Sequence, residues 1–156
     1  MTKIIIVRIS GKQGLTKKVK NTFKLLNLHK KHTCVIVNSS KDILGMIKVL
    51  KDHSTWGEID KETLSMLLEK RGRLPGKTNL SLEYLKEKVN KNFEEVSSDL
   101  IEGKLTIKSI PGLKPFFRLA PPKKGYETKG TKKPFSLGGA LGYRKNKIND
   151  LIQRML

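Results

Sequence analysis
The chain holds one cysteine, Cys34, in 156 residues, so no disulfide can close within it, and this fits a reducing compartment. Acidic side chains are scarce: 14 Asp and Glu stand against 33 Lys and Arg, giving a formal net charge of +19. Histidine is limited to His29, His32 and His53. The spacing of His29, His32 and Cys34 matches no common zinc pattern, and no second ligand pair follows, so no metal site is expected. The histidines also lack a converging set of acids or nucleophiles, which argues against catalysis. No apolar run approaches the ~18 residues of a membrane span, and the apolar start is too short for a signal peptide. The chain therefore reads as soluble and intracellular, with no membrane partner. The glycines of GGALGY follow no expected strand and carry neither nucleotide-binding pattern, so no cofactor is expected.

What is abundant is positive charge, and it is unevenly placed. Residues 1–58 carry 12 basic and 3 acidic side chains, residues 59–102 carry 8 and 9, and residues 103–156 carry 13 and 2. A near-neutral middle between basic ends suggests a scaffold with separate contact regions. Lys outnumbers Arg by 27 to 6. Lysine is a point charge suited to phosphate neutralisation, whereas arginine gives planar bidentate recognition, so the balance leans toward backbone contact.

The run KIIIVRI (Lys3–Ile9) is β-branched and apolar, the mark of a buried strand. Leu15, Val19, Phe23 and Leu26 then fall on one helical face, with Lys17, Lys20 and Lys24 opposite. Thr33–Asn38 reads as a second strand, Ile43, Ile47 and Leu50 as a helical stripe, and Ser54–Ile59 as a third, shorter strand. The expected fold class is α+β: a small β-α-β-α-β core over residues 1–59, with a three-stranded sheet and its helices on one face. Residues 60–156 read as a helical, loop-rich basic extension. Asp60 is placed to cap a helix ending near Lys70, two short helices follow at Ser81–Asn90 and Phe93–Glu102, and a last helix covers Asn146–Leu156. Leu113–Leu119 reads as a strand broken by Pro115. Residues 121–142 carry no period, and their charge suggests that they gain order only on a partner.

Dense lysine interleaved with aromatics and glycines points to nucleic acid. Lysines neutralise phosphates, glycines admit the backbone to close range, and aromatic rings stack on exposed bases. On this basis Lys123, Lys124, Lys129, Lys132, Lys133 and Arg144 are expected as phosphate contacts, with Tyr126 and Tyr143 as stacking rings. Arg71, Arg73 and Lys77 form a second patch on a short loop, and Lys114 and Arg118 are further expected RNA contacts. Lys12, Lys17 and Lys18 form a third. The competing reading for Tyr126 and Tyr143 is a place at the edge of the core. For the helical lysines it is a solvated face.

Several runs resemble the large-subunit ribosomal protein L-thirty family in its long archaeal and eukaryotic form. They are WGEID (Trp56–Asp60), ETL (Glu62–Leu64), KRGRLPG (Lys70–Gly76), EYL (Glu83–Leu85), GLKPFFRLAPPKKGY (Gly112–Tyr126) and GGALGYRKNKINDLIQRML (Gly138–Leu156). TFKLLNLHKKHTCVIV (Thr22–Val37) is similar to the short bacterial form. The sequence departs from the long-form pattern at Ala120, where His or a similar residue is expected. The resemblance implies a core related to ferredoxin-like folds with an α-rich C-terminal extension. It also implies a structural role without catalysis. The partners implied are large-subunit ribosomal RNA, with 5S RNA as a finer candidate, and neighbouring ribosomal proteins, the chain being a monomer within the cytoplasmic large subunit. The alternatives are a non-ribosomal RNA-processing factor or RNA chaperone, and a chromatin protein, which would need a spare apolar face for dimerisation.

Overall fold
The computed structural model describes residues 2–156. β1 (Lys3–Arg8), α1 (Lys17–Leu25), β2 (Thr33–Asn38), α2 (Lys41–Leu50) and β3 (Ser54–Glu58) follow the order expected from the pattern. Thr16 and Ser40 start the two helices: their hydroxyls accept from the backbone N–H groups of Val19 and Ile43 at 3.4 and 3.3 Å. The apolar faces of both helices then close over one side of the sheet, where Val19, Phe23, Ile47 and Leu50 pack on Ile4, Ile6 and Val35.

β1 is central and antiparallel to both neighbours. A connection between parallel strands must cross the sheet, and that rule governs only α2, because β2 and β3 run parallel to each other on either side of β1. α1 is an excursion instead. The chain returns to the end of β1 that it left, where His32 N–H donates to the Arg8 carbonyl at 2.9 Å.

The extension supplies α3 (Lys61–Arg71), α4 (Leu82–Val89), α5 (Phe93–Glu102), β4 (Phe117–Arg118), β5 (Gly142–Tyr143) and α6 (Ile148–Met155). Two expectations are corrected by it. The sheet has five strands in the order β4-β2-β1-β3-β5, not three. β4 is the two-residue part of the expected Leu113–Leu119 strand that pairs with β2, whereas β5, also two residues long, carries no alternation to read. The second correction concerns the layers, because helices cover both faces. α3, α5 and α6 close the second side over Ile5, Val7 and Cys34. All six residues of β1 are buried, as an apolar run without polar alternation requires. Burial also pushes the Cys34 thiol far above its ordinary range, so it is an inert core residue. Asp60 occupies the N-cap position of α3 as expected, but its side chain makes no capping hydrogen bond.

The extension meets the core at close range at Gly57. A Cβ there would lie 2.2 Å from the Lys145 carbonyl oxygen and 2.8 Å from Ile148 Cγ2. Trp56 marks the same junction: Arg144 N–H donates to its carbonyl at 2.9 Å, and its ring stacks on Tyr143 at 6.5 Å. Among the described residues no helix is long and apolar enough to cross a membrane, and no cluster of three His, Cys, Asp or Glu could hold a metal.

Two glycine substitutions separate close approach from helix propensity. Gly57→Ala should lose about 2–3 kcal/mol in urea unfolding, because backbone and Ile148 must both move. Gly45→Ala lies inside α2 with nothing within 4 Å of the new methyl, and should gain about 0.5–1 kcal/mol.

Candidate nucleic-acid interface
The second basic patch is built by the end of α3. Gly72 stops the helix, and the chain reverses through Pro75–Lys77. Leu74 N–H donates to the Thr78 carbonyl at 2.9 Å, and Leu80 N–H donates to that of Gly72 at 3.0 Å. The reversal holds Arg73 and Lys77 outward, both exposed. Lys114 N–H donates to the Arg73 carbonyl at 3.0 Å, which brings the GLKPFFR segment alongside. In β4 the side chains alternate: Phe117 is fully buried, while Arg118 is exposed and Phe116 half-buried at the sheet edge.

The result is a hollow of about 370 Å³ lined by Arg71, Arg73, Lys77, Lys114, Phe116 and Arg118. Five of its six lining residues are cations and none is acidic. Among the described residues, none of the five pairs with an Asp or Glu side chain. Each like-charged pair about 8 Å apart costs roughly 0.5 kcal/mol in water, so an anion in the hollow removes a standing repulsion. Two guanidinium groups are held in place from within the fold. Arg71 donates to the main-chain oxygen of Leu156 at 2.7 Å, and Arg73 donates to the Asn79 side-chain oxygen.

A second basic hollow lies on the α1 side. It measures about 390 Å³ and is lined by Lys12, Lys20, Lys24 and His29, with Arg8 and Phe23 beneath. The Arg8 guanidinium lies 4.1 Å over the Phe23 ring and donates to the carbonyls of Ser10, Leu28 and Gly11 at 2.9, 2.6 and 2.7 Å. It therefore shapes the β1–α1 loop from inside. His29 meets Phe116 edge-on at 6.2 Å and so connects the two hollows. Lys17 and Lys18 are exposed in the first turn of α1, which holds no acid. Cations at that end of a helix are unfavourable by a few tenths to about 1 kcal/mol, a cost that a bound phosphate reverses.

The third region is the loop 119–141. It is irregular, as its composition predicts, yet it is tied down from within. Glu127 accepts from both Nη atoms of Arg144, with Nη2 at 2.7 Å, and Arg154 lies 3.6 Å away. Arg144 also donates to Thr55 Oγ1 at 2.9 Å and to the Ala140 carbonyl at 2.8 Å, and lies 4.7 Å over the Phe135 ring. Ala140 N–H and Leu141 N–H donate to the carbonyls of Gly130 and Lys133 at 3.1 Å. A Cβ on Gly139 would sit 2.0 Å from the Lys133 carbonyl oxygen, so the loop crosses itself there. The expectation that residues 121–142 have no structure of their own is thus replaced by a cross-linked loop.

Arg144 is the site residue that the structure places elsewhere. Its side chain is 1% exposed, and all three of its side-chain nitrogens donate inside the protein. It is a strut between β3 and the loop, not a phosphate contact. Tyr126 is half-buried: its hydroxyl bonds His32 Nδ1 at 2.8 Å and its ring stacks on His32, so it belongs to the core edge. Tyr143 stays exposed, with its hydroxyl donated to Glu58 at 2.8 Å. Lys123, Lys124, Lys129, Lys132 and Lys133 are all exposed. The one acid among them, Glu127, is spent on Arg144 and Arg154, so their charge faces solvent uncompensated. Sequence reasoning missed Lys20, Lys24, His29 and Phe116. The lysines were legible on the polar stripe of α1, but their link to Phe116 lies wholly in the tertiary packing.

Burial and neighbouring charges together set the titration directions. Burial alone would raise the Glu127 carboxyl, but the Arg144 hydrogen bond and its charge hold it below the ordinary value. Burial pushes the Tyr126 hydroxyl up to about 12 and holds the His32 imidazole below its usual value, with Lys31 adding to the second effect.

With this geometry in place, comparison with known proteins is decisive. Residues 4–53 match the family described as ribosomal protein L30p/L7e. The chain is 52% identical over 151 residues to the large ribosomal subunit protein uL30 of Nanoarchaeum equitans, covering 97% of each. It is 49% identical to the uL30 of Methanococcus maripaludis, again over 97% of both chains. For the uL30 of Methanopyrus kandleri the figure is 42%, over 94% of this chain and 99% of the relative. The chain belongs to the ribosomal protein L30p/L7e family. The relatives match along almost their whole length, so family membership covers the basic extension as well as the sheet.

Two outcomes test the strut. Arg144→Ala should cost about 3 kcal/mol of stability in chemical unfolding, because Glu127 is left half-buried without its partner. A group held below its ordinary pKa contributes stability above that value and loses it as pH falls. Acid unfolding should therefore steepen below about pH 4.5, and Glu127→Gln should flatten that part of the curve.

Proposed function
We propose that this chain grips folded large-subunit ribosomal RNA with three cationic surfaces carried on one α+β scaffold. The observation that carries the reading is the pair of hollows linked by the His29–Phe116 contact, where cations without Asp or Glu partners converge and no acid lines either wall. As a member of the ribosomal protein L30p/L7e family, the chain is a structural constituent of the large ribosomal subunit and does no catalysis. Its site residues for RNA are Lys12, Lys17 and Lys18 on the α1 side, and Arg71, Arg73, Lys77, Lys114 and Arg118 around the hollow. Lys123, Lys124, Lys129, Lys132 and Lys133 act on the loop, with Tyr143 as the exposed ring beside it.

The mechanism is electrostatic and geometric. Each lysine that meets a phosphate releases a counterion, which gives affinity without reading sequence. Structured RNA adds loops and bulges whose shape a fixed constellation can select. The opposite charge pattern orients the molecule. Glu62, Glu69 and Glu94 line a shallow groove between α3 and α5 with only Lys61 opposing them, so that face repels phosphate. It is free to meet a neighbouring ribosomal protein. Within the large subunit, 5S RNA is the finer candidate among the RNA partners, and crosslinking from the loop lysines distinguishes it from the large ribosomal RNA.

The test is the salt dependence of RNA binding. Lys123→Ala combined with Lys124→Ala should reduce the slope of log K against log salt by about 0.7–0.9 for each phosphate no longer neutralised. Lys86→Ala, on the exposed face of α4, should leave it unchanged. Equal slopes for wild type and both variants would remove the loop lysines from the interface.

A further inference from the structure
The hollow around Phe116 differs in kind from the other basic surfaces. The loop lysines stand on an exposed surface and offer only point charges. The Phe116 hollow is concave, and its volume of about 370 Å³ lies within the range of small-ligand sites. Its wall contains a half-buried aromatic ring between buried Phe117 and half-buried Pro115. His29 packs on the ring in a T-shaped pair and core residues pack against it, so its position is fixed. Around the ring stand five cations, and the two best-anchored are guanidinium groups, which bind phosphate oxygens in pairs.

From this geometry we infer that the hollow receives a single nucleotide extruded from the RNA stack, with its base against Phe116 and its flanking phosphates held by Arg73, Lys114 and Arg118. This inference rests on the RNA-binding reading and adds to it the form in which RNA enters. A phosphate alone would leave the aromatic wall without a partner. An acidic peptide would satisfy the cations but meets the ring only where it happens to carry an aromatic residue in register, whereas RNA carries a phosphate beside every base. An extruded nucleotide supplies both in one unit, and stacking is indifferent to which base it is. The hollow around Tyr143 lacks this combination, because Glu58 lies in its wall and holds the Tyr143 hydroxyl.

The experiment uses the full chain and three RNA hairpins of one stem sequence: fully paired, carrying a one-nucleotide bulge, and carrying an abasic residue at the bulge. Wild-type protein should bind the bulged hairpin about tenfold more tightly than the paired one, and the abasic hairpin should lose most of that advantage. With 2-aminopurine at the bulge, its fluorescence should change on binding. Phe116→Leu should bring the bulged-to-paired ratio close to one, and Phe116→Tyr should restore it. Circular dichroism establishes that both variants fold, and the abasic hairpin tests the idea with unaltered protein. If the abasic hairpin binds as well as the bulged one, the nucleotide receptor is wrong while RNA binding stands. If wild-type protein shows no salt-dependent affinity for any hairpin, both readings fall.

Discussion

β1 has no polar face. Its six residues are buried, so the sheet it centres must be covered on both sides or expose Ile5 and Val7 to water. Full burial of each such side chain stabilises the fold by about 1.5–3 kcal/mol, more than any surface ion pair contributes. α1 and α2 can cover one side only. The second side is therefore a demand that the core places on the extension, and α3, α5 and α6 answer it. The close approach at Gly57 follows from this, because α6 and the turn before it are drawn onto β3. So does the position of the Phe116 hollow. β4 is added to the sheet edge when the extension returns, and its alternation puts Phe117 inside and Phe116 at the rim.

A second constraint organises the loop. Arg144 and Glu127 form an ion pair with little access to solvent, and such pairs give small net stability because both charges lose water. Their effect is on the path of the chain. Once Arg144 is bound to Thr55 on β3, Glu127 must come to it, and with Glu127 come Tyr126 and the neighbouring lysines. A loop of this composition would otherwise have too few apolar contacts to hold one shape. The pair also removes the segment's only acid from the surface, so one interaction both orders the loop and sharpens its positive field.

Residues of one chemical type thus divide by location. Arg8 and Arg144 are structural: each lies against an aromatic ring and donates to main-chain oxygens. Arg73 and Arg118 are exposed without carboxylate partners and are available to a ligand. No count of basic residues makes this division. It depends on whether acceptors surround the guanidinium inside the fold.

The sequence by itself determined the class of partner, the five main elements of the core, and most of the helices of the extension. Those features follow from local signals: β-branched runs, helical spacing, hydroxyl caps and charge density. It also marked KRGRLPG, GLKPFFR and the loop lysines as basic contact segments. Tertiary structure alone decided that β1 is antiparallel to both neighbours, that the sheet gains β4 and β5, and that its second face is covered. It alone decided that Arg144 turns inward and that Phe116 joins two hollows drawn from distant segments. The reason is common to all of these. Pairings between residues tens of positions apart depend on which surfaces remain uncovered after the local elements form, and no local period records that remainder.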